Sequence, residues 1–98
     1  MKVFKQTLAF EWDKGNQDKN LVGHKVTNEE CEEVFYDPKK KIADDPIHSQ
    51  KENRYIVIGK TKQDRILFLV FTIRNEKIRV ISARDLNKKE RFLYEEKN

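Results

Sequence analysis

Ile66-Leu67-Phe68-Leu69-Val70-Phe71-Thr72-Ile73 decides the fold. The run is rich in β-branched and aromatic residues, broken only by Thr72, and bounded by turn material on both sides. Ile66, Phe68 and Val70 alternate with Leu67, Leu69 and Phe71, so both faces of the strand are apolar. A strand of that kind is covered on both sides, by helices on at least one.

Two further segments share its period of two. Tyr55-Ile56-Val57-Ile58 precedes it, and Ile78-Arg79-Val80-Ile81-Ser82-Ala83 follows across Arg74-Asn75-Glu76-Lys77, a connection short enough for an antiparallel hairpin. Upstream, Leu8, Phe10 and Trp12 alternate on one face of a short edge strand, with Trp12 in the core. Asp13 caps a first helix running to Val22, which Gly23 closes. Thr27 and Glu30 have the spacing of a capping box, with Val26 and Cys31 as its hydrophobic staple. Cys31, Val34 and Phe35 then fall on one helical face, and Asp37-Pro38 ends that second helix. Residues 38–53 read as a long polar loop with Ile42 and Ile47 as anchors. A last helix starts at Asn87, with Glu90 three residues on, and runs to about Glu96; Leu86, Leu93 and Phe92 dock it, and Lys88, Arg91 and Glu95 face outward. The expected fold is α+β: one domain over residues 1–98, with an antiparallel sheet of about four strands, two N-terminal helices and one C-terminal helix.

Charged residues make up 39% of the 98 and apolar ones 37%, so a domain of this size gains stability from a partner. No apolar run approaches the roughly 20 residues of a membrane span. The first residues lack an apolar signal core, and a single cysteine forms no internal disulfide, so the cytoplasm is the expected compartment. Residues 1–49 hold 8 Lys/Arg against 10 Asp/Glu, whereas residues 50–98 hold 13 against 7. That asymmetry suggests an anionic partner for the second half, with nucleic acid leading; the plainer reading is that surface lysines keep a small protein soluble.

No phosphate-cradling glycine loop, metal-ligand spacing or nucleophile elbow is present, and no cofactor or metal is expected. Chemistry by side chains alone suits a substrate that brings its own nucleophile. RNA does so: its 2′-OH attacks the adjacent phosphate. The protein then helps remove that proton, stabilises charge on the phosphorane oxygens and protonates the leaving 5′ oxygen. Arginine suits the second task. Arg54, before one strand, and Arg84, at the end of another, can lie at one rim of an antiparallel sheet and form a two-pronged phosphate clamp; their structural alternative is pairing with Glu52, Asp85 or a helix carboxylate. His24 titrates near neutrality and suits proton transfer, although a histidine beyond a helix C-terminus is also favoured by the dipole alone. Lys88, Lys89 and Arg91 open the last helix, where backbone N–H groups favour anions, and together with Arg79 they are the expected RNA contacts. Tyr55 and Tyr94 are read as core residues, with base stacking as the alternative, and His48 as structural.

Phe10-Glu11-Trp12-Asp13, Asn20, His24, Val34-Phe35, Asp37-Pro38, Arg54-Tyr55-Ile56-Val57-Ile58-Gly59, Ile81-Ser82-Ala83-Arg84 and Lys89-Glu90-Arg91 resemble, in that order, the BrnT family of toxin–antitoxin ribonucleases. The likeness covers roughly residues 10 to 96. It places Arg54 and Arg84 in the family's Arg-Tyr-Ile-x-Ile-Gly and Ser-Ala-Arg blocks, and His24 in the block read Lys-His-Gly. It implies a RelE-like fold, a metal-independent endoribonuclease that arrests growth, and neutralisation by a BrnA-like antitoxin whose ribbon-helix-helix part carries the complex to operator DNA. Asn16 and Gly23 stand where the family usually has lysine. The competing reading is therefore a catalytically degenerate module that binds antitoxin and serves operon autoregulation. A general RNA-binding domain is a third reading, and it lacks a clustered aromatic platform.

Overall fold

A computed structural model describes residues 8–12, 25–45 and 52–95. Helix α1 (Asn28–Phe35) starts as its sequence requires. The Thr27 hydroxyl accepts from Glu30 N, and the Glu30 carboxylate accepts from Thr27 N. Val26 and Cys31 are fully buried beside this box, as a staple demands. The Asp37 carboxylate takes over where the helix stops, accepting from Lys39 N and Lys60 N.

Four antiparallel strands follow in spatial order β1-β2-β3-β4: β1 (Lys41–Asp44), β2 (Tyr55–Lys60), β3 (Ile66–Arg74) and β4 (Lys77–Asp85). The strand number matches the sequence reading, but one member differs. β1 lies within the stretch read as loop, pairing Ile42 with Val57 and Ala43 with Ile56. It is four residues long with charge at both ends, and an edge strand needs no continuous apolar pattern because β2 supplies its pairing. Leu8 to Trp12, expected as the edge strand, makes a single parallel bridge, Phe10 to Ile78, at the far edge beside β4. The first helix expected over 13–22 lies outside the described residues, as do Ile47 and His48.

The β3–β4 connection is a two-residue turn in which Asn75 and Glu76 both have positive φ, 51° and 65°, the signature of a type I′ hairpin. Further along, Val70 faces Ser82 while Phe71 faces Val80, so Ile81 is the extra residue of a bulge.

The core lies between α1 and one sheet face. Val34 and Phe35 meet Val57, Leu67, Leu69, Phe71, Val80 and Ala83 there, all nearly or fully buried. Phe35 and Phe71 cross edge to face at 4.9 Å. Gly59 lets the helix approach β2: a Cβ there would stand 2.8 Å from Val34 Cγ1 and 2.9 Å from the Val34 carbonyl oxygen. Trp12 packs at the core margin with Nε1 donating to Glu32 at 2.7 Å, and Tyr55 packs on Phe71.

The chain closes with a 3-10 turn (Lys88–Glu90) continuing into helix α2 (Arg91–Glu95), capped by Asn87 and Glu90 as expected. Among the described residues there are two α-helices. α2 touches β2, and its anchor is polar: Tyr94 donates to Asp37 at 2.6 Å, with the Lys60 ammonium over the Tyr94 ring. Phe92, expected to dock the helix, is 63% exposed. No helix among the described residues is long and apolar enough to cross a membrane.

Candidate functional site

Strand polarity separates the two arginines expected to act together. β2 and β4 each run antiparallel to β3, so they are parallel to one another. The residue before β2 and the last residues of β4 therefore lie at opposite rims. Arg54 precedes Tyr55, which faces Phe71, whereas Arg84 faces Phe68. Arg54 sits level with Thr72, four residues along β3 from Phe68, so about 13 Å of strand separates the two levels. The single clamp is corrected: one intervening strand reverses direction twice, and the ends change rims.

Arg54 has different company. Thr72 pairs with Arg79 on β4, and the fully buried Thr72 hydroxyl donates to the Asn53 carbonyl at 2.7 Å. Asp45 N donates to the Arg54 carbonyl at 2.9 Å, so both neighbouring strands hold the backbone here. Side-chain alternation puts Arg54, Thr72, Arg74 and Arg79 on the sheet face opposite α1. Arg74 grips the Glu52 carboxylate with two bonds of 2.9 and 3.0 Å. Glu52 is held below the ordinary carboxylate range, chiefly by that pair, and Arg54 and Arg79 add to the effect. Arg79 also lies 3.7 Å from Glu11. Three arginines and one half-buried carboxylate thus converge at the rim where β2 begins, β3 ends and β4 begins.

Arg84 serves the opposite rim in a different manner. Its two terminal nitrogens donate to the two Glu90 oxygens at 2.8 and 2.9 Å, and one of them also donates to the Asp85 carbonyl. The guanidinium lies 4.2 Å over the Phe68 ring. The bidentate bond raises the pKa of Arg84 and lowers that of Glu90. Glu90 at the same time accepts from Asn87 N in the helix cap. Lys88, Lys89 and Arg91 are exposed around this knot. The expectation that the helix start attracts anions needs correction, because the Asn87 side chain already accepts from Glu90 N and a carboxylate sits at the terminus.

Arg65, absent from the sequence reading of the site, joins this rim. It donates to Asp85 through Nε and Nη2, to Glu30 through Nη1, and to the Lys25 carbonyl. These bonds tie the start of α1 to the ends of β3 and β4. His24 lies outside the described residues. Glu52 and Arg74 were legible only as possible partners or turn residues; the hairpin register is the signal that brings Arg74, Thr72 and Arg79 together.

A groove of about 660 Å³ lies along α1 and is lined by Glu29, Glu32, Glu33 and Asp37 with Lys60 and Lys62. Its four carboxylates outnumber its two lysines, so this groove repels a polyanion. Among the described residues, no three His, Cys, Asp or Glu side chains stand close enough to hold a metal ion.

A family model described as ribonuclease toxin, BrnT, of type II toxin-antitoxin system matches residues 12–90. No curated protein gives a match.

Proposed function

The chain belongs to the BrnT family of ribonuclease toxins of type II toxin–antitoxin systems, and we propose that it is a cytoplasmic, RelE-like, metal-independent endoribonuclease that arrests growth until a ribbon-helix-helix antitoxin covers it. The observation that carries this reading is the convergence of Arg54, Arg74 and Arg79 at one rim of the sheet, on the face away from the acidic groove. Three fixed positive charges on rigid strand ends suit the phosphorane that forms when a 2′-OH attacks phosphorus.

Arg54 and Arg79 stabilise the equatorial oxygens in this scheme. Arg84, with Lys88, Lys89 and Arg91, holds a more distant phosphate of the same strand, since both rims open on one face. His24 acts in proton transfer. Operator DNA is met only through the antitoxin.

One observation favours the second reading, an inactive antitoxin-binding module: Glu90 already occupies Arg84. Induced expression with growth and total RNA followed in parallel separates the two. Arrest with RNA loss, relieved by the antitoxin and by Arg54→Ala or Arg79→Ala, supports the toxin. Normal growth with stable co-purification of the antitoxin supports the module.

A further inference from the structure

Glu52 is the one carboxylate that the described residues place within the arginine rim with a bidentate partner of its own. We propose that Glu52 is the general base of the reaction, taking the proton from the attacking 2′-OH; the proposal rests on the ribonuclease reading and names a residue that reading left out.

The placement is fixed by three independent ties. Arg74 holds the carboxylate from the end of β3, Thr72 holds the following carbonyl, and Asp45 N holds the next. The side chain remains 28% exposed, so a ribose can reach it. A carboxylate bonded to one guanidinium fork still has lone pairs on its outer edge, and a base must be within hydrogen-bond reach of the proton it takes. The charged groups facing it come from each neighbouring segment: Arg74 on β3, Arg54 just ahead of β2 and Arg79 on β4. The arginines that would stabilise the phosphorane oxygens are thus the ones that keep this base ionised.

In the step itself the 2′-oxygen loses its proton to a Glu52 oxygen and forms a bond to phosphorus. The bond from phosphorus to the 5′ oxygen breaks, and that oxygen takes the proton that His24 supplies in the proposed scheme, with His24 reprotonated from water. The products are a 2′,3′-cyclic phosphate and a 5′-hydroxyl, and Glu52 then returns its proton to solvent. No external oxidant, reductant or co-substrate enters.

The test is cleavage of labelled single-stranded RNA, free and ribosome-bound, by the purified full chain from pH 3 to 9, with 2′-O-methyl RNA of the same sequence as a binding probe. For Glu52→Gln the expected result is a kcat lower by about 10²–10⁴-fold. Affinity for the 2′-O-methyl probe stays within about threefold, and the acid limb of the pH–rate profile disappears. Glu52→Asp restores part of the rate. Arg74→Met shifts the acid limb to higher pH, because the carboxylate loses the partner that holds its pKa down. That shift is a readout that a purely structural role does not move, and it needs no Glu52 variant to fold. Near-native cleavage by Glu52→Gln, or an Arg74→Met profile with its acid limb unmoved, overturns the proposal and leaves the toxin standing. A wild-type chain that cleaves neither form of RNA overturns both.

Discussion

At Arg84 the guanidinium is gripped by Glu90 through two bonds and lies over the Phe68 ring, so a substitution there removes a tether as well as a charge. Arg84→Ala is expected to lower stability by about 1–2 kcal/mol, read from urea midpoints, because Glu90 loses its partner at a site only partly open to water. Arg84→Lys recovers little of it, since an ammonium cannot make the bidentate bond. Loss of growth arrest in an Arg84 variant therefore needs a stability measurement beside it. The same holds at Arg54, although its carbonyl keeps the bond from Asp45 N when the side chain is truncated. Tyr94→Phe offers a cleaner probe of the C-terminal helix. It deletes the bond to the Asp37 carboxylate and is expected to cost about 1–2 kcal/mol, with the ring contact to Lys60 retained. A midpoint unchanged in Tyr94→Phe contradicts that anchor.

Two positions at the scale of elements test why the strands and the helix sit where they do. Glu76 holds φ of 65° in the second place of a type I′ turn, where glycine has no steric penalty. Glu76→Gly is expected to raise stability by about 0.5–1 kcal/mol in thermal or urea melts, and a loss of stability argues against the turn assignment. Gly59 works in the opposite sense. A methyl group there meets Val34 side chain and backbone below 3 Å, so Gly59→Ala pushes α1 away from β2 and is expected to cost about 1–3 kcal/mol. The capping boxes of α1 and of the last helix were legible because their chemistry is local, within three residues. β1 was not legible. Its four residues carry no pattern of their own, and β2 alone makes them a strand.

Over the whole molecule, carboxylates tie separate segments together: Glu30 to Arg65, Asp37 to Tyr94 and Lys60 N, Glu52 to Arg74, and Glu90 to Arg84. Burial pushes Glu30 and Asp37 up, but their hydrogen bonds outweigh it; Glu52 and Glu90 are lowered first by their arginines. All four are depressed in the folded state, so the unfolded chain takes up protons first as pH falls. Their contribution is complete above the unfolded values and drains away below about pH 4.5. Urea midpoints are expected to be level from pH 7 to 5 and to fall on further acidification. Arg65→Met, which removes one partner, flattens that fall.

Three of the four strands, the β3–β4 hairpin, the two capped helices and the basic second half follow from the sequence, because alternation, capping and charge act over a few neighbouring residues. Which arginines meet does not follow. Arg54, at the entry of one strand, and Arg84, at the exit of another, read as partners, yet strand polarity sends them to opposite rims and puts Arg54 with Arg79 and Arg74. Register and direction belong to pairs of strands, and a side chain's neighbours across a sheet are set by residues far away in the chain. The same reason brought Glu52 to Arg74, 22 residues away.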